Sequence, residues 1–400
     1  MAVPLSGAAD LPLHGGHVPP WLARYMRRLA EAIVEAVVEF YSPRVLAERL
    51  ADPVWFQAFN NAIGMDWDSS GSTTVTTGIL KQVAWSRPEL GIAVLGGKGA
   101  RSRLVPEEAR KALELGMIDE RWADEAIAAS KIAAKTDNVL LGDGYSLYHH
   151  SVIVTVDGGL AVIQQGMNPA RRMARRYHWL GPVKPVEPSL EPHRGIASAS
   201  KEASIDYDLT SRLSREARRA VVEIAVSTPP RALLRDLSEA KRLLQGIAPL
   251  ERWLRPAQPR GGAPEAEKHI PYYRPPPRPP RGLEEILRKI RDVNPSTIEE
   301  LVAIKGVGPS TLRSLVLVAE LVYGVPVSHR DPANQPLDPF RYAYVAGGKD
   351  GVPFPFRRDY AEKAIEFLQD IVRQARLGPG ERRRALSRLK TLATLLGGTG

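Results

Sequence analysis

The chain contains no cysteine. This excludes a disulfide framework, a thiolate nucleophile and a zinc–thiolate centre, so any bound metal would draw on His, Asp, Glu or water. It also lacks an uncharged apolar run of the roughly eighteen residues that a membrane span needs, and no membrane partner is expected. The opening segment has no basic n-region and no continuous apolar h-region, which argues against a secretory signal and for a cytoplasmic location.

What is present points to a folded, basic protein. Four hundred residues with 44% apolar content are enough for two or three domains. The net charge of +10 favours a polyanionic partner, nucleic acid before an anionic membrane surface. Thirty-four prolines, abundant arginine and no cysteine fit a thermophilic source.

The fold class expected is α+β, with a mixed N-terminal domain and a mostly α-helical C-terminal domain. Residues 1–200 form the first unit and carry the candidate chemistry, 201–254 a helical segment, 255–281 a linker, and 282–400 a helical nucleic-acid-binding domain. Pro20 opens a helical pattern that runs to Phe40. The Thr/Val-rich stretch Ser72–Val83 reads as a strand or, near its end, a short helix. Gly91–Gly99 reads as a strand entering a glycine loop that holds Lys98. Asp157-Gly158 between β-branched runs predicts a hairpin. Arg171–Trp179 mixes basic heads with Tyr177 and Trp179, which suits phosphate pairing and base stacking through Arg175 and Arg176, or a solvated helix. The 255–281 stretch holds nine prolines and many arginines and should be extended, polyproline-like and basic.

Two stretches carry functional signals. In the first, Ser296-Thr297-Ile298-Glu299 has capping-box spacing, and Ile304-Lys305-Gly306-Val307-Gly308-Pro309-Ser310-Thr311 is a glycine turn leading into an apolar helix. Glycines at 306 and 308 let backbone N–H groups approach an anion, and the helix start adds donors and a positive dipole. Lys305, Ser310, Thr311 and Arg313 are placed to add phosphate contacts. In the second, Asp137, Asp143, His149 and His150 fall within fourteen positions, followed by Gln164. Asp137, Asp143 and His149 are candidate ligands for a divalent metal, Mg²⁺ or Mn²⁺. His149 or His150 would otherwise serve as general base, with Lys98 stabilising developing charge. Adjacent histidines on a strand face opposite ways, so at most one reaches a given site. The plain alternative is that Asp143 caps a turn and one histidine is a satisfied core residue.

The glycine turn resembles the helix-hairpin-helix of DNA repair and recombination proteins. It is also similar to base-excision glycosylases, where an aspartate beyond the turn serves the chemistry; Asp331 falls in that region, while Ser310 stands where the lysine variant needs Lys. Across nearly the whole chain, Asp52-Pro53-Val54-Trp55-Phe56-Gln57, Asp143-Gly144-Tyr145, Gln164-Gln165-Gly166-Met167 and Arg175-Arg176-Tyr177-His178-Trp179 resemble an archaeal and bacterial family described as a domain of unknown function. Asp68 stands where that pattern has His. The expected function is DNA processing, first of all as a metal-dependent nuclease in repair or recombination. The alternatives are a non-enzymatic DNA-binding or scaffold protein and a glycosylase using Asp331. A homo-oligomer is left open.

Overall fold

A computed structural model describes residues 20–64, 71–171, 173–198, 202, 204–244, 281–334, and 367–387 apart from 368 and 376. Residues 1–19, Asp68 and the proline-rich stretch through residue 280 lie outside the described residues.

Proline and polar caps start the first helices. Pro20 begins α1 (Pro20–Phe40). Ser42 accepts the Val45 N–H ahead of α2 (Pro43–Leu50), and Asp52 accepts the Val54 and Trp55 N–H groups at 2.8 and 3.1 Å ahead of α3 (Pro53–Ile63). The Thr/Val-rich stretch is a full helix, α4 (Gly71–Ser86), and not a strand. Its threonines fold their hydroxyls back onto the backbone, Thr77 to Thr73 O at 2.7 Å and Thr74 to Gly71 O at 3.0 Å. Thr73, Thr76 and Thr77 are buried, so tertiary packing overrides β-propensity.

Strands β1 (Ile92–Lys98), β2 (Ser146–Thr155), β3 (Leu160–Asn168), β4 (Met173–Leu180) and β5 (His193–Ser198) form one antiparallel meander in sequence order. The Asp157-Gly158 hairpin forms as expected, with Gly158 at φ +88° and Val154 paired with Leu160. Of the Arg171–Trp179 run, residues from Met173 onward are strand rather than helix, and Arg175, Arg176, Tyr177 and His178 are all buried. Helices α2, α3 and α4 cover one face of the sheet; α6 (Glu120–Lys135), preceded by α5 (Val105–Glu114), covers the other. With both faces packed, β2 reads as an unbroken buried run from His149 to Thr155.

Beyond the sheet, α7 (Arg215–Ser227), α8 (Pro230–Leu244), α9 (Leu283–Val293), α10 (Ile298–Ala303) and α11 (Pro309–Leu321) bury their apolar stripes together in a second core. The capping box of α10 lies one residue later than expected. Thr297 accepts the Glu300 N–H, and Glu300 reaches back to the Ser296 N–H at 2.7 Å. The two cores interlock: Val139 and Leu140, directly after α6, belong to the second core, and Gly142 exchanges backbone hydrogen bonds with the 206–207 segment. Ile371, Val372 and Ala385 return to the first core. The α10–α11 turn is thereby set against α6.

Candidate functional site

Small residues bring α6 close to the sheet. Ala126, Ala129 and Ala133 are buried on its inner side, and at that short spacing Ser130 Oγ lies 2.8 Å from His150 Nε2 and Ala133 O accepts from Gln164 Nε2 at 3.1 Å. The helix then loosens into a π turn, Thr136–Leu140, which turns Asp137 inward. One Asp137 oxygen accepts the Trp179 indole N–H at 3.0 Å and an amide N–H of Gln164; the other faces His193 Nε2 at 2.6 Å.

These contacts fix the protons. The Gln164 amide nitrogen is engaged by two acceptors, the Ala133 carbonyl and the Asp137 carboxylate, so its oxygen is the atom 2.6 Å from His150 Nδ1. A carbonyl oxygen only accepts, hence Nδ1 carries the hydrogen and Nε2 is left as an acceptor toward Ser130. Burial pushes the His150 pKa down and keeps the ring neutral.

Ser130 and His150 both line a cavity of about 740 Å³. Arg103, Lys131 and Lys135 contribute to its walls, as do Glu299 of α10 and Val307, Gly308 and Pro309 of the α10–α11 turn. Lys135 spans it, donating to the Val307 carbonyl at 3.1 Å; burial lowers its pKa. Two stretches about 160 residues apart in sequence thus face one cavity.

At the turn, Gly306 sits at φ +104°, where a side chain is strained, while Gly308 is extended at φ −129°, ψ −173° and no side chain caps α11. Lys305, Gly306 and Ser310 are exposed. Thr311 is buried, and Arg313 is engaged by Asp206 at 2.6 Å. Neither of these last two presents its side chain as the sequence suggested.

The family model described as "Protein of unknown function (DUF763)" matches residues 7–356. The chain belongs to that family. Neither the curated proteins nor the solved structures contain a match to it.

Other expected site residues of this DUF763 chain lie elsewhere. Asp143 accepts from Arg175 at 3.0 Å and from the Tyr177 hydroxyl at 2.7 Å, and Arg175 also donates to Asp331 at 2.7 Å. All three charged side chains are fully buried, and the two carboxylates hold Arg175 charged against its burial. Asp331 additionally accepts the Ala333 N–H at 2.9 Å, the turn role that competes with catalysis. Arg176 lies on the opposite sheet face, donating to His178 Nε2 at 2.8 Å and lying over the Phe56 ring. The two arginines expected to meet nucleic acid are therefore interior.

His149 also points to that opposite face, toward Thr77 at 3.0 Å, and burial lowers its pKa to about 3. Asp137, Asp143 and His149 do not converge, and among the described residues no group of three or more metal-ligating side chains does. The structure does bring together Asp137, Gln164 and His150. Lys98 is exposed at the end of β1. In the expected glycine loop Gly96, Gly97 and Lys98 are strand and only Gly99 lies beyond it: the Gly96 N–H donates to Glu108 at 2.6 Å and its carbonyl accepts from Lys81 at 2.7 Å, so a carboxylate already holds the Gly96 donor that a phosphate would use. A Cβ at Gly96 would stand 2.3 Å from His150 O, which explains the glycine. Among the described residues no helix is long and apolar enough to cross a membrane.

Sequence reasoning missed Ser130, Trp179 as a partner of Asp137, and His193. Ser130 sits in an alanine-rich helix with no motif around it. His193 lies in the proline-rich 181–205 stretch, where only the short run His193-Arg194-Gly195-Ile196-Ala197-Ser198 signals a strand.

Proposed function

We propose that this protein grips a nucleic-acid backbone, DNA before RNA, at the α10–α11 turn and cleaves phosphodiesters at the His150 end of the same cavity. The observation that carries the reading is that cavity: its lining joins an uncapped helix start at Gly308, a neutral histidine hydrogen-bonded to Gln164, and the cations Arg103, Lys131 and Lys135, while its one carboxylate among the described residues, Glu299, is paired with Arg218. An anion suits the helix start because its N–H donors and dipole are positive. The likeness of the turn to helix-hairpin-helix proteins and the net charge of +10 support a polyanionic ligand.

Gly308→Leu tests the grip without backbone strain or a steric clash, because the backbone there is ordinary and open space surrounds the new Cβ; the cost is confined to a less favourable N-cap. A bulky side chain then blocks the backbone approach, and duplex affinity falls ~10-fold or more, while Lys305→Gln lowers the slope of log K against log salt by about one. Unchanged affinity and slope in both variants would remove the reading. Labelled single-stranded, duplex and branched DNA, incubated with Mg²⁺, Mn²⁺ or EDTA, tests cleavage and any metal requirement. Asp137→Asn retains binding and loses cleavage. Binding without cleavage under every condition would instead favour a non-enzymatic DNA-binding protein.

A further inference from the structure

Serines elsewhere in these helices turn their hydroxyls onto the preceding turn: Ser227 bonds Glu223 O at 2.7 Å, Ser238 bonds Leu234 O at 2.9 Å, and Ser314 bonds Ser310 O at 2.9 Å. Ser130, also inside a helix, meets a histidine nitrogen instead. The protons assigned above leave that nitrogen without hydrogen, so the Ser130 hydroxyl is the donor. Serine hydroxyl, imidazole base and a hydrogen-bonded group orienting the far side of the ring are the parts of an activated nucleophile. Here the orienting group is Gln164, itself anchored on Asp137 and the Ala133 carbonyl. Ser130 and His150 both face the cavity, with Lys131 the neighbour of Ser130 in α6 and Lys135 one turn on.

We infer that Ser130 is a nucleophile, with His150 as its general base, acting on a phosphodiester bound in the cavity. The substrate class rests on the proposed function; the activation of Ser130 does not. As the Ser130 Oγ–P bond forms, the hydroxyl proton passes to His150 Nε2. The P–O bond to the leaving nucleoside breaks, and His150 returns the proton to that oxygen. The product is a phosphoserine diester and a free nucleoside hydroxyl. Water then gives a proton to the same nitrogen as its oxygen bonds to phosphorus; the Oγ–P bond breaks, His150 returns the proton to Ser130 Oγ, and a nucleoside phosphate monoester leaves. Arg103, Lys131 and Lys135 are the cations available to the phosphoryl oxygens.

The test separates the two levels of the argument. Full-length protein is treated with a fluorophosphonate probe, which reports an activated serine whatever the natural substrate, and the adduct is located by peptide mass spectrometry. The expected result is an adduct on Ser130 that is absent in Ser130→Ala and forms ~10²-fold more slowly in His150→Gln. The probe reads the serine with no nucleic acid present, so failure of the nucleic-acid reading leaves this result standing. Thermal unfolding shows whether the His150→Gln protein is folded.

Should the probe be too large for the cavity, Ser130→Cys supplies the chain's single thiol. Its alkylation midpoint is expected below the ordinary thiol value of about 8.5 and to return to it in the His150→Gln background. A Ser130 adduct that survives His150→Gln at full rate overturns the inference. So does the absence of an adduct together with a thiol midpoint at or above about 8.5.

Discussion

Asp137 and Asp143 are six positions apart and both are buried, yet their surroundings give them different work. Asp143 belongs to a sealed clamp in which Arg175 is held between it and Asp331, joining the sheet to the segment that follows α11. Asp137 has no arginine. It collects hydrogen bonds from Trp179, Gln164 and His193, and through Gln164 it reaches a histidine that faces a cavity. A buried carboxylate is therefore informative through what lies at the far end of its hydrogen bonds. An ion pair closed on all sides is architecture, and a chain of neutral groups ending at open space is a candidate for chemistry.

The largest effect expected from breaking this contrast is on stability at the clamp. Arg175→Met leaves two carboxylates buried without their cation and costs roughly 3–5 kcal/mol in urea unfolding. A loss below about 1 kcal/mol would mean that the clamp is not the closed ion pair described.

Asp137→Asn sharpens the other side of the comparison. It keeps the size of the side chain and one acceptor oxygen, so about 1–3 kcal/mol of stability is lost. If the two carboxylates were equivalent, this substitution would destabilise the protein as much as Arg175→Met; equal urea midpoints for the two variants would erase the distinction.

A third measurement uses pH. Burial raises Asp206 and Asp208 to about 6, and Arg313 beside Asp206 only partly offsets it. An unfolded aspartate titrates near ~3.9, so between about 4 and 6 the folded chain holds protons that the unfolded chain has released. This contribution is complete below about 4 and is lost as pH rises through about 6. Asp208→Asn preserves an acceptor for Thr210 and removes the penalty. It should gain roughly 1–3 kcal/mol over the parent at pH 7.5 and nothing at pH 4, read as the difference between paired unfolding curves. A constant difference across that range would contradict the assignment.

The smallest effect concerns the mount of the α10–α11 turn. Thr297→Ala removes the cap hydrogen bond to the Glu300 N–H and costs about 1 kcal/mol, with DNA affinity expected to follow only weakly. Hydrogen exchange confined to α10 would locate the loss.

Much of the fold was legible in the chain. The α+β class, the Asp157-Gly158 hairpin, the helices from Pro20 and Pro309, and the glycine turn follow from periodicity, caps and turn chemistry, all of them local. The errors share a cause. Ser72–Val83 and Arg171–Trp179 have compositions that local propensity misreads, because the first packs its threonines into a helix interface and the second buries two arginines among partners distant in sequence. For the site, Asp137, His150 and Gln164 were visible as a polar cluster, and the opposite facing of the two histidines followed from strand geometry. Which histidine would join Asp137 was not visible, because that depends on which sheet face α6 covers.

By itself, then, the sequence determined the elements, the basic character and the glycine turn between α10 and α11, since each arises from neighbours within a few residues. Only the tertiary structure decided that Asp143 and Asp331 close on Arg175, that Ser130 meets His150, and that the turn and the histidine face one cavity. Those pairings link positions from about 20 to about 190 residues apart, and local sequence carries no record of the docking of α6 and α11 that brings them within hydrogen-bond range.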